Sequence, residues 1–165
     1  MAKIFTILTE RYNYTAQTSL GQMYFEYGLE YVLLKPQPIK ELFGNTLEDT
    51  ARPDNIKVYG ETCLPGGLKC DVSLYESPRH GKTIIFHTED DGVTIKFNNL
   101  IWDYCLAHGG ATHKDTAACV LIGSEIVSMN KIQGSLKGKL RKAIEKKIEE
   151  GYTIKARFVN LNQES

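Results

Sequence analysis

The fold is decided by residues 56–97, IKVYGETCLPGGLKCDVSLYESPRHGKTIIFHTEDDGVTIKF, where short apolar runs alternate with turn-forming residues. Pro65-Gly66-Gly67 and Asp91-Gly92 are typical of hairpin turns, because glycine and aspartate tolerate the positive φ angles that tight turns need. The two predicted hairpins join strands at 56–64 and 68–76, and at 82–87 and 93–97. Four short strands at this spacing indicate a protein that is rich in β-structure.

The residues before this stretch predict further strands and one long connection. IFTILT at 4–9 predicts a first strand, and residues 19–34 predict two aromatic-rich strands that form a hairpin broken at Gly28. Residues 35–55 contain three of the five prolines and many turn formers, so we expect a long connection there. At most one helical turn is expected in it, around residues 39–43. Long loops in compact domains are often functional.

The C-terminal part predicts one helix and a last strand. Apolar residues recur with a helical period over about 135–150, with Ser135 as the N-cap and Gly151 at the C-terminal end. YTIKARFV at 152–159 predicts the last strand. We therefore expect a single domain over 1–165. Its fold is predicted to be mainly β, a twisted antiparallel barrel or sandwich with one C-terminal helix and a final strand.

Composition excludes several classes of protein. The chain has 20 Lys and Arg against 20 Asp and Glu, and this zero net charge argues against strong nucleic-acid binding, which needs a surplus of cations. No run approaches the ~18 apolar residues of a membrane span. The first residues, MAKIFTILTERYNY, lack the apolar segment of a secretory signal, so we expect a soluble protein made in the cytoplasm. The cysteines show no CxxC pair and are expected to be free thiols.

The densest group of reactive side chains lies in residues 104–123, YCLAHGGATHKDTAACVLIG. The apolar run that begins at Cys119 predicts a buried strand, and Gly109-Gly110 allows a tight turn beside His108. A thiol at the start of a strand, with a histidine at the end of a neighbouring strand, is a geometry that suits a cysteine nucleophile. The histidine would take the proton, and backbone N–H groups near the cysteine would stabilise an oxyanion.

Blocks of residues in a constant order cover most of the chain: SLGQMYF (19–25), TLED (46–49), VYGETCLPGG (58–67), SPR (77–79), HGGAT (108–112), DTAACVLIG (115–123) and the terminal helix and strand. These blocks resemble a family of uncharacterised bacteriophage and prophage proteins, one of the domain-of-unknown-function families. The resemblance implies a phage-encoded protein in the host cytoplasm, with the virion, or the cell envelope after lysis, as further locations.

More remotely, the His-Gly pair at 108–109 and the cysteine that opens a strand are similar to the L,D-transpeptidase catalytic domain. That β-rich domain acts on peptidoglycan stem peptides through a cysteine acyl-enzyme. The resemblance implies that Cys119 is the nucleophile and His108 the general base. The chain departs from these enzymes at Thr116-Ala117-Ala118, where they have Ser-His-Gly, and at Leu121, where they have Arg. Ala118 also replaces a glycine that the uncharacterised family usually has.

The expected site has further members. Asp115 or a backbone carbonyl is expected to orient the imidazole of His108. The residues expected to line the substrate cleft are Tyr59, Glu61, Gly109, Gly110, His113 and Thr116, and Glu48 and Asp49 lie in family blocks that would place them nearby.

Other interpretations of the same residues stay open. His108, His113, Asp115 and Cys119 are suitable zinc ligands, but their spacing follows no known ligand pattern, so no metal and no cofactor are expected. Cys119 is also explained as a buried structural cysteine, because free cysteines are among the most buried residues. Cys63, Cys70 and Cys105 are most simply core thiols.

Two functions follow as expectations. The first is an L,D-transpeptidase-like protein that acts on peptidoglycan peptides by acyl transfer or hydrolysis. The second is a non-catalytic phage accessory or virion protein that binds a host protein or a small host molecule in the same cleft. The shared fold does not decide between them.

Overall fold

The computed structural model describes residues 3–52 and 56–162, which form eleven β-strands and one α-helix. The strands are β1 (Lys3–Tyr14), β2 (Thr18–Val32), β3 (Lys35–Asp49), β4 (Lys69–Ser77), β5 (Gly81–His87), β6 (Thr94–Phe97), β7 (Leu100–Asp103), β8 (Cys105–His108), β9 (Val120–Ser128), β10 (Lys131–Ser135) and β11 (Tyr152–Asn160). The helix α1 (Lys137–Glu149) lies between β10 and β11, and a 3₁₀ turn covers His113–Asp115.

Nine strands form one mixed sheet that closes on itself. Their order is β10-β9-β3-β2-β1-β11-β4-β5-β8, and β8 also pairs with β9, so the sheet becomes a barrel with β10 outside the ring. The pairs β1–β11 and β8–β9 are parallel, and the other pairs of this sheet are antiparallel. The predicted β-rich fold with one C-terminal helix and a final strand is confirmed.

The core fills the interior of the barrel because alternate residues of each strand point inward. On β1 these are Phe5 and Ile7, which lie opposite Ile154 and Ala156 of β11. The helix α1 adds Leu140 and Ile144, and the separate β6–β7 hairpin adds Ile95 and Trp102. Each large apolar side chain buried in this way contributes about 1.5–3 kcal/mol.

The second predicted strand pair differs from the structure. Residues 18–32 form one strand with a register shift after Tyr27, so Gly28, with φ 63°, lies in a bulge and not in a turn. Residues 35–49 form β3, which pairs with β2. The predicted long connection at 35–55, with its helical turn, is therefore wrong for these residues. Residues 53–55 of that prediction lie outside the described residues.

The prolines of β3 explain this error. One edge of β3 pairs with β2 along its length, and among the described residues the other edge pairs with β9 only at 45–47. At Pro36 and Pro38 this other edge therefore has no described partner strand. A missing backbone N–H costs little at such an edge. Proline content therefore indicated a loop where the chain forms an edge strand.

Both hairpins predicted in 56–97 are wrong in their pairing. The strand β4 pairs with β11 along one edge and with β5 along the other, which leaves 56–64 without an edge to join. Likewise β5 pairs with β4 and β8, while β6 pairs with β7. The turn at Asp91-Gly92 does form, with Gly92 at φ 75°, but it joins β5 to a different sheet.

The C-terminal predictions are closer to the structure. The helix ends before Gly151, whose φ of 92° is the left-handed conformation expected at a helix stop, and β11 follows at once. The N-cap residue is Leu136 and not Ser135, although Ser135 Oγ accepts the N–H of Lys137, the first helical residue, over 3.4 Å. All four cysteines are buried and free. No helix in the described ranges has the length and apolar character that crossing a membrane requires.

Candidate functional site

Cys119 lies at the wall of a cleft of about 230 Å³, here called the Cys119 cleft. Cys119 directly precedes β9. The other lining residues come from the two positions before Cys119, from β7, from Tyr104 just after β7, and from the segment before β4. The lining residues are Lys57, Tyr59, Gly60, Thr62, Trp102, Asp103, Tyr104, Ala117, Ala118 and Cys119. Tyr59 and Tyr104 are 91% and 54% exposed, so aromatic rings form much of the open wall.

The sulfur of Cys119 is held by backbone groups. The N–H of Leu106 donates to Sγ over 3.4 Å, and Sγ lies 3.8 Å from the carbonyl oxygen of Tyr104. Burial raises the pKa of the Cys119 thiol, which is 9% exposed, and the N–H groups of Leu106 and Ala117 oppose that rise only in part. At neutral pH the side chain is therefore a thiol and not the reactive thiolate.

His108 is buried at the end of β8, the parallel neighbour of β9. Its Nδ1 lies 2.6 Å from the carbonyl oxygen of Gly109, which can only accept, so Nδ1 carries the proton. The ring stacks on His80 with centroids 3.8 Å apart. Burial lowers the pKa of His108, which favours the neutral imidazole.

The structure brings the strand ends of Cys119 and His108 together but does not join the two side chains. In the register of β8 and β9, His108 lies opposite Leu121, two residues beyond Cys119. Within the described part of the chain no hydrogen bond connects the imidazole to the sulfur.

Asp115 stabilises its own loop. Its Oδ2 accepts the N–H groups of Ala111 at 2.7 Å and Thr112 at 3.0 Å, which completes a capping box around the 3₁₀ turn. These bonds, that of Thr112 first, lower the pKa of Asp115. Its charge opposes the burial that lowers the pKa of His108, but the hydrogen-bond partner of His108 Nδ1 is the Gly109 carbonyl.

The other predicted residues of the 109–116 segment lie outside the lining of the Cys119 cleft. A Cβ at Gly109 would come within 2.5 Å of Ser135 Oγ, and a Cβ at Gly110 within 2.9 Å of Asp115 Cβ, so both glycines allow close packing. Thr116 donates from Oγ1 to the carbonyl oxygen of Cys119 over 2.6 Å. His113 is half-buried in the 3₁₀ turn.

Of the residues predicted upstream, Tyr59 lines the cleft and Glu61 does not, although its neighbours Gly60 and Thr62 do. Glu48 lies inside the barrel, where it pairs with Arg11. Asp49 lies beneath the cleft: its Oδ2 accepts the N–H of Ala118 over 3.0 Å.

This bond holds a strained residue next to Cys119. Ala118 has φ 70°, a left-handed conformation that costs a non-glycine residue roughly 1–2 kcal/mol. A glycine fits this conformation better, which agrees with the residue expected here from the resemblance. The N–H of Ala118 donates to Asp49. It is therefore not available to stabilise an oxyanion in the cleft.

Sequence reasoning missed the aromatic wall around Trp102 and Tyr104. The Nε1 of Trp102 is buried without a hydrogen-bond partner in the described part of the chain, and the Lys57 ammonium lies 5.1 Å from the centroid of the Trp102 ring. The signal was present in LIWDYC at 100–105, which places two aromatic residues within three positions of Cys105.

The other three cysteines and the predicted alternative of a zinc site do not point to a further functional site among the described residues. Burial raises the pKa of Cys63 and of Cys70 to about 12, as expected for core thiols. Within residues 3–52 and 56–162, no group of three or more His, Cys, Asp or Glu side chains has the arrangement of a metal site.

Comparison of the chain with protein-family models, with curated proteins and with solved structures finds no match. The phage family and the L,D-transpeptidases therefore remain expectations from the sequence, and the function has to be argued from the geometry.

Proposed function

We propose that the protein is a non-catalytic binding protein that holds a small planar group of a host molecule in the Cys119 cleft. The observation that carries this proposal is the aromatic wall of the cleft, formed by Tyr59, Trp102 and Tyr104. Aromatic faces bind flat ligands by stacking and by removing apolar surface from water. The phage setting of this role rests on the sequence blocks alone.

The size of the cleft limits the ligand. Its volume of about 230 Å³ is below the roughly 300–1,000 Å³ of sites for drug-sized ligands. A single ring system fits this volume, and a polymer strand does not. The unpartnered Nε1–H of Trp102 favours a ring that carries an acceptor, because an unsatisfied buried donor costs about 1–3 kcal/mol.

The states of Cys119 and His108 favour binding over catalysis. A cysteine nucleophile needs a lowered pKa and a base within hydrogen-bond reach. Here burial raises the pKa of Cys119, and no hydrogen bond among the described residues joins the imidazole of His108 to the Cys119 sulfur.

The test uses the only tryptophan of the chain, whose indole N–H gives one NMR resonance. Benzamide and nicotinamide, planar rings with a carbonyl acceptor, are titrated into the protein. We expect saturable shifts of the Trp102 resonance, and about fivefold weaker binding in Tyr59→Ala, as expected for a lost ring contact.

Tyr12→Ala is the matched control, because Tyr12 is also exposed, at 41%, but lies outside the cleft. It should bind both compounds like the parent protein. Binding that is equal in all three proteins, or no shift of the Trp102 resonance, would refute the proposal.

A second candidate, cysteine acyl transfer on peptidoglycan peptides, is favoured by one observation. Sγ of Cys119 borders the cleft and accepts the Leu106 N–H, a donor that would also stabilise a thiolate. In this mechanism the thiolate attacks a peptide carbonyl and forms a thioester with release of an amine.

Two measurements separate this candidate from pure binding. A tetrapeptide donor is incubated with the protein and with Cys119→Ala, and adducts and products are followed by mass spectrometry. The pH profile of Cys119 alkylation is measured with and without His108→Ala. A thioester on Cys119 and a profile that depends on His108 support acyl transfer; an inert thiol below pH values near 8 rejects it.

A further inference from the structure

A groove of about 720 Å³ lies on the outside of the barrel. It crosses β2, β1, β11 and β4, and none of the residues predicted for the site lines it. Gly28 and Pro38 of the β2–β3 hairpin form one side, and Thr88 after β5 belongs to the other. Its volume lies within the range of about 300–1,000 Å³ that is usual for ligand sites.

Strand register places charged side chains in rows across the floor of this outer groove. In one row Glu26, Thr6, Lys155 and Asp71 lie opposite one another on four successive strands. In the next row Arg157 lies opposite Lys69. Two ion pairs form among these groups: Lys155 pairs with Asp71, and Arg157 pairs with Glu26 at 3.0 Å.

Among these charged groups, Lys69 is the cation that forms no ion pair. Its ammonium group makes no ion pair or hydrogen bond to any described residue, and its backbone lies opposite that of Arg157, whose guanidinium pairs with Glu26. Like charges directly opposite each other on paired strands are destabilising. An anion between the two side chains would remove this repulsion and would face a floor that carries three cations and two carboxylates.

The rest of the groove is apolar. Ile4 is 50% exposed on the same outer face, and Pro38 completes an apolar region beside the charged rows. A half-exposed isoleucine beside a groove offers apolar area to a ligand. The groove therefore combines a cationic end with an apolar surface.

We propose that the outer groove binds a small amphiphilic anion, with its carboxylate or phosphate group beside Lys69 and Arg157 and its apolar body against Ile4 and Pro38. This site is separate from the Cys119 cleft, and it does not depend on the function proposed for that cleft. Arg157 contributes a planar donor that can bind two oxygens of the anion, and Lys69 contributes a point charge.

The test compares four probes by calorimetry at low ionic strength: phenyl phosphate, benzoate, inorganic phosphate and phenol. We expect phenyl phosphate or benzoate to bind in a 1:1 ratio and more tightly than inorganic phosphate or phenol. The preferred head group identifies the source of the charge as phosphate or carboxylate. Added salt should weaken the binding, because part of the attraction is between charges.

Variants locate the site. Lys69→Gln should weaken the binding of the preferred probe about tenfold, the effect of losing one charge-assisted hydrogen bond. Lys139→Gln makes the same charge change on the exposed face of α1 and should leave binding unchanged. Ile4→Ser should reduce the advantage of phenyl phosphate over inorganic phosphate.

The proposal is overturned if neither anion binds at concentrations of about 10 mM, or if Lys69→Gln and Lys139→Gln weaken binding equally. Both lysines are exposed, so neither substitution should unfold the protein. Circular dichroism of each variant checks that the barrel is intact before the calorimetry.

Discussion

At the scale of single residues, the interior of the barrel contains a fully buried ion pair between Arg11 and Glu48. Arg11 donates from Nε and Nη2 to the two carboxylate oxygens of Glu48, each over 2.8 Å, and from Nη1 to Asn160 at 3.0 Å. Neither charged side chain is exposed to solvent. The two-point geometry offsets the desolvation of both charges, so neither partner is dispensable alone.

Removing one partner should therefore be costly. We expect Glu48→Ala to lower the free energy of unfolding by about 3–5 kcal/mol, because it leaves the Arg11 charge buried and unpaired. Glu10→Ala breaks the exposed pair with Lys40 and should cost about 1 kcal/mol or less. Urea denaturation measures both values, and similar losses in the two variants would show that the buried pair is not special.

Asp49 should make stability depend on pH. Burial raises the pKa of Asp49 from 3.8 to about 6, although the Ala118 N–H opposes that rise. Between these two pH values the folded protein keeps a proton that the unfolded chain has released, so this group favours the folded state less as the pH rises. Its stabilising contribution is fully present below the pKa of Asp49 in the unfolded chain. It is lost as the pH rises through the pKa of Asp49 in the folded protein.

The matched variant is Asp49→Asn, which retains an oxygen that can accept the Ala118 N–H. The free energy of unfolding of the parent minus that of the variant should decrease from about pH 4 to about pH 6 and then level off. Urea titrations at several pH values give this difference. A difference that is constant across the window would mean that the Asp49 pKa is normal.

At the scale of elements, α1 is held by its packing and by its end. Leu140 and Ile144 enter the core, and the Lys147 ammonium lies 4.6 Å from the centroid of the Tyr27 ring. Gly151 then adopts φ 92° and lets the chain turn into β11. Only Glu150 and Gly151 join the helix to the last strand, and Gly151 is the one in a left-handed conformation.

Two glycine substitutions test this interpretation with opposite signs. Gly151→Ala should lower the free energy of unfolding by about 1 kcal/mol through backbone strain, since nothing lies within 4 Å of the added Cβ. Gly138→Ala, within α1 and also in open space, should raise it by about 0.5–1 kcal/mol. Thermal unfolding followed by circular dichroism measures both, and two shifts of the same sign would contradict the prediction.

The outer part of the β2–β3 hairpin is the element that is least supported by the barrel. Leu33 and Leu34 at its tip have φ 50° and 66° and are 92% and 94% exposed. Leucine disfavours both the left-handed conformation and exposure to water. The same hairpin supplies Pro38 and Gly28 to the outer groove, so its position sets the width of that groove.

At the scale of the whole molecule, the two ends of the chain close the barrel together. The parallel pair β1–β11 aligns Lys3 to Arg11 with Tyr152 to Asn160, and β11 also pairs with β4. Five of the ten strand pairs among the described residues join segments that are not linked by a hairpin: β1–β11, β4–β11, β3–β9, β5–β8 and β8–β9. Such a topology favours one cooperative unit.

We expect a single unfolding transition for the whole chain. Far-UV circular dichroism reports the barrel, and Trp102 fluorescence reports the β6–β7 hairpin, where this side chain is 3% exposed. The two urea transitions should coincide. Separate midpoints would divide the chain into two folding units and contradict the expected single domain.

The candidate site was predictable in part. The pattern around 104–123 indicated a buried strand that begins at Cys119, and Tyr59 was expected near it; both lie at one cleft. The orientation of His108 was not predictable, because it depends on the register of β8 against β9 and on the Gly109 carbonyl. The charged rows of the outer groove follow from register as well, since Lys69 and Arg157 are 88 positions apart in the printed sequence.

The sequence by itself determined that the chain is rich in β-strands with one C-terminal helix, where α1 stops, and that Cys63, Cys70 and Cys105 are core thiols. These properties follow from local side-chain periodicity and from the conformational preference of Gly151. Only the tertiary structure decided which strands pair. Each strand has two edges, and distant segments compete for them: β11 and β5 occupy β4, so the adjacent 56–64 segment is excluded. Local turn residues indicate that the chain reverses direction, but they do not indicate which strand edge is still unpaired.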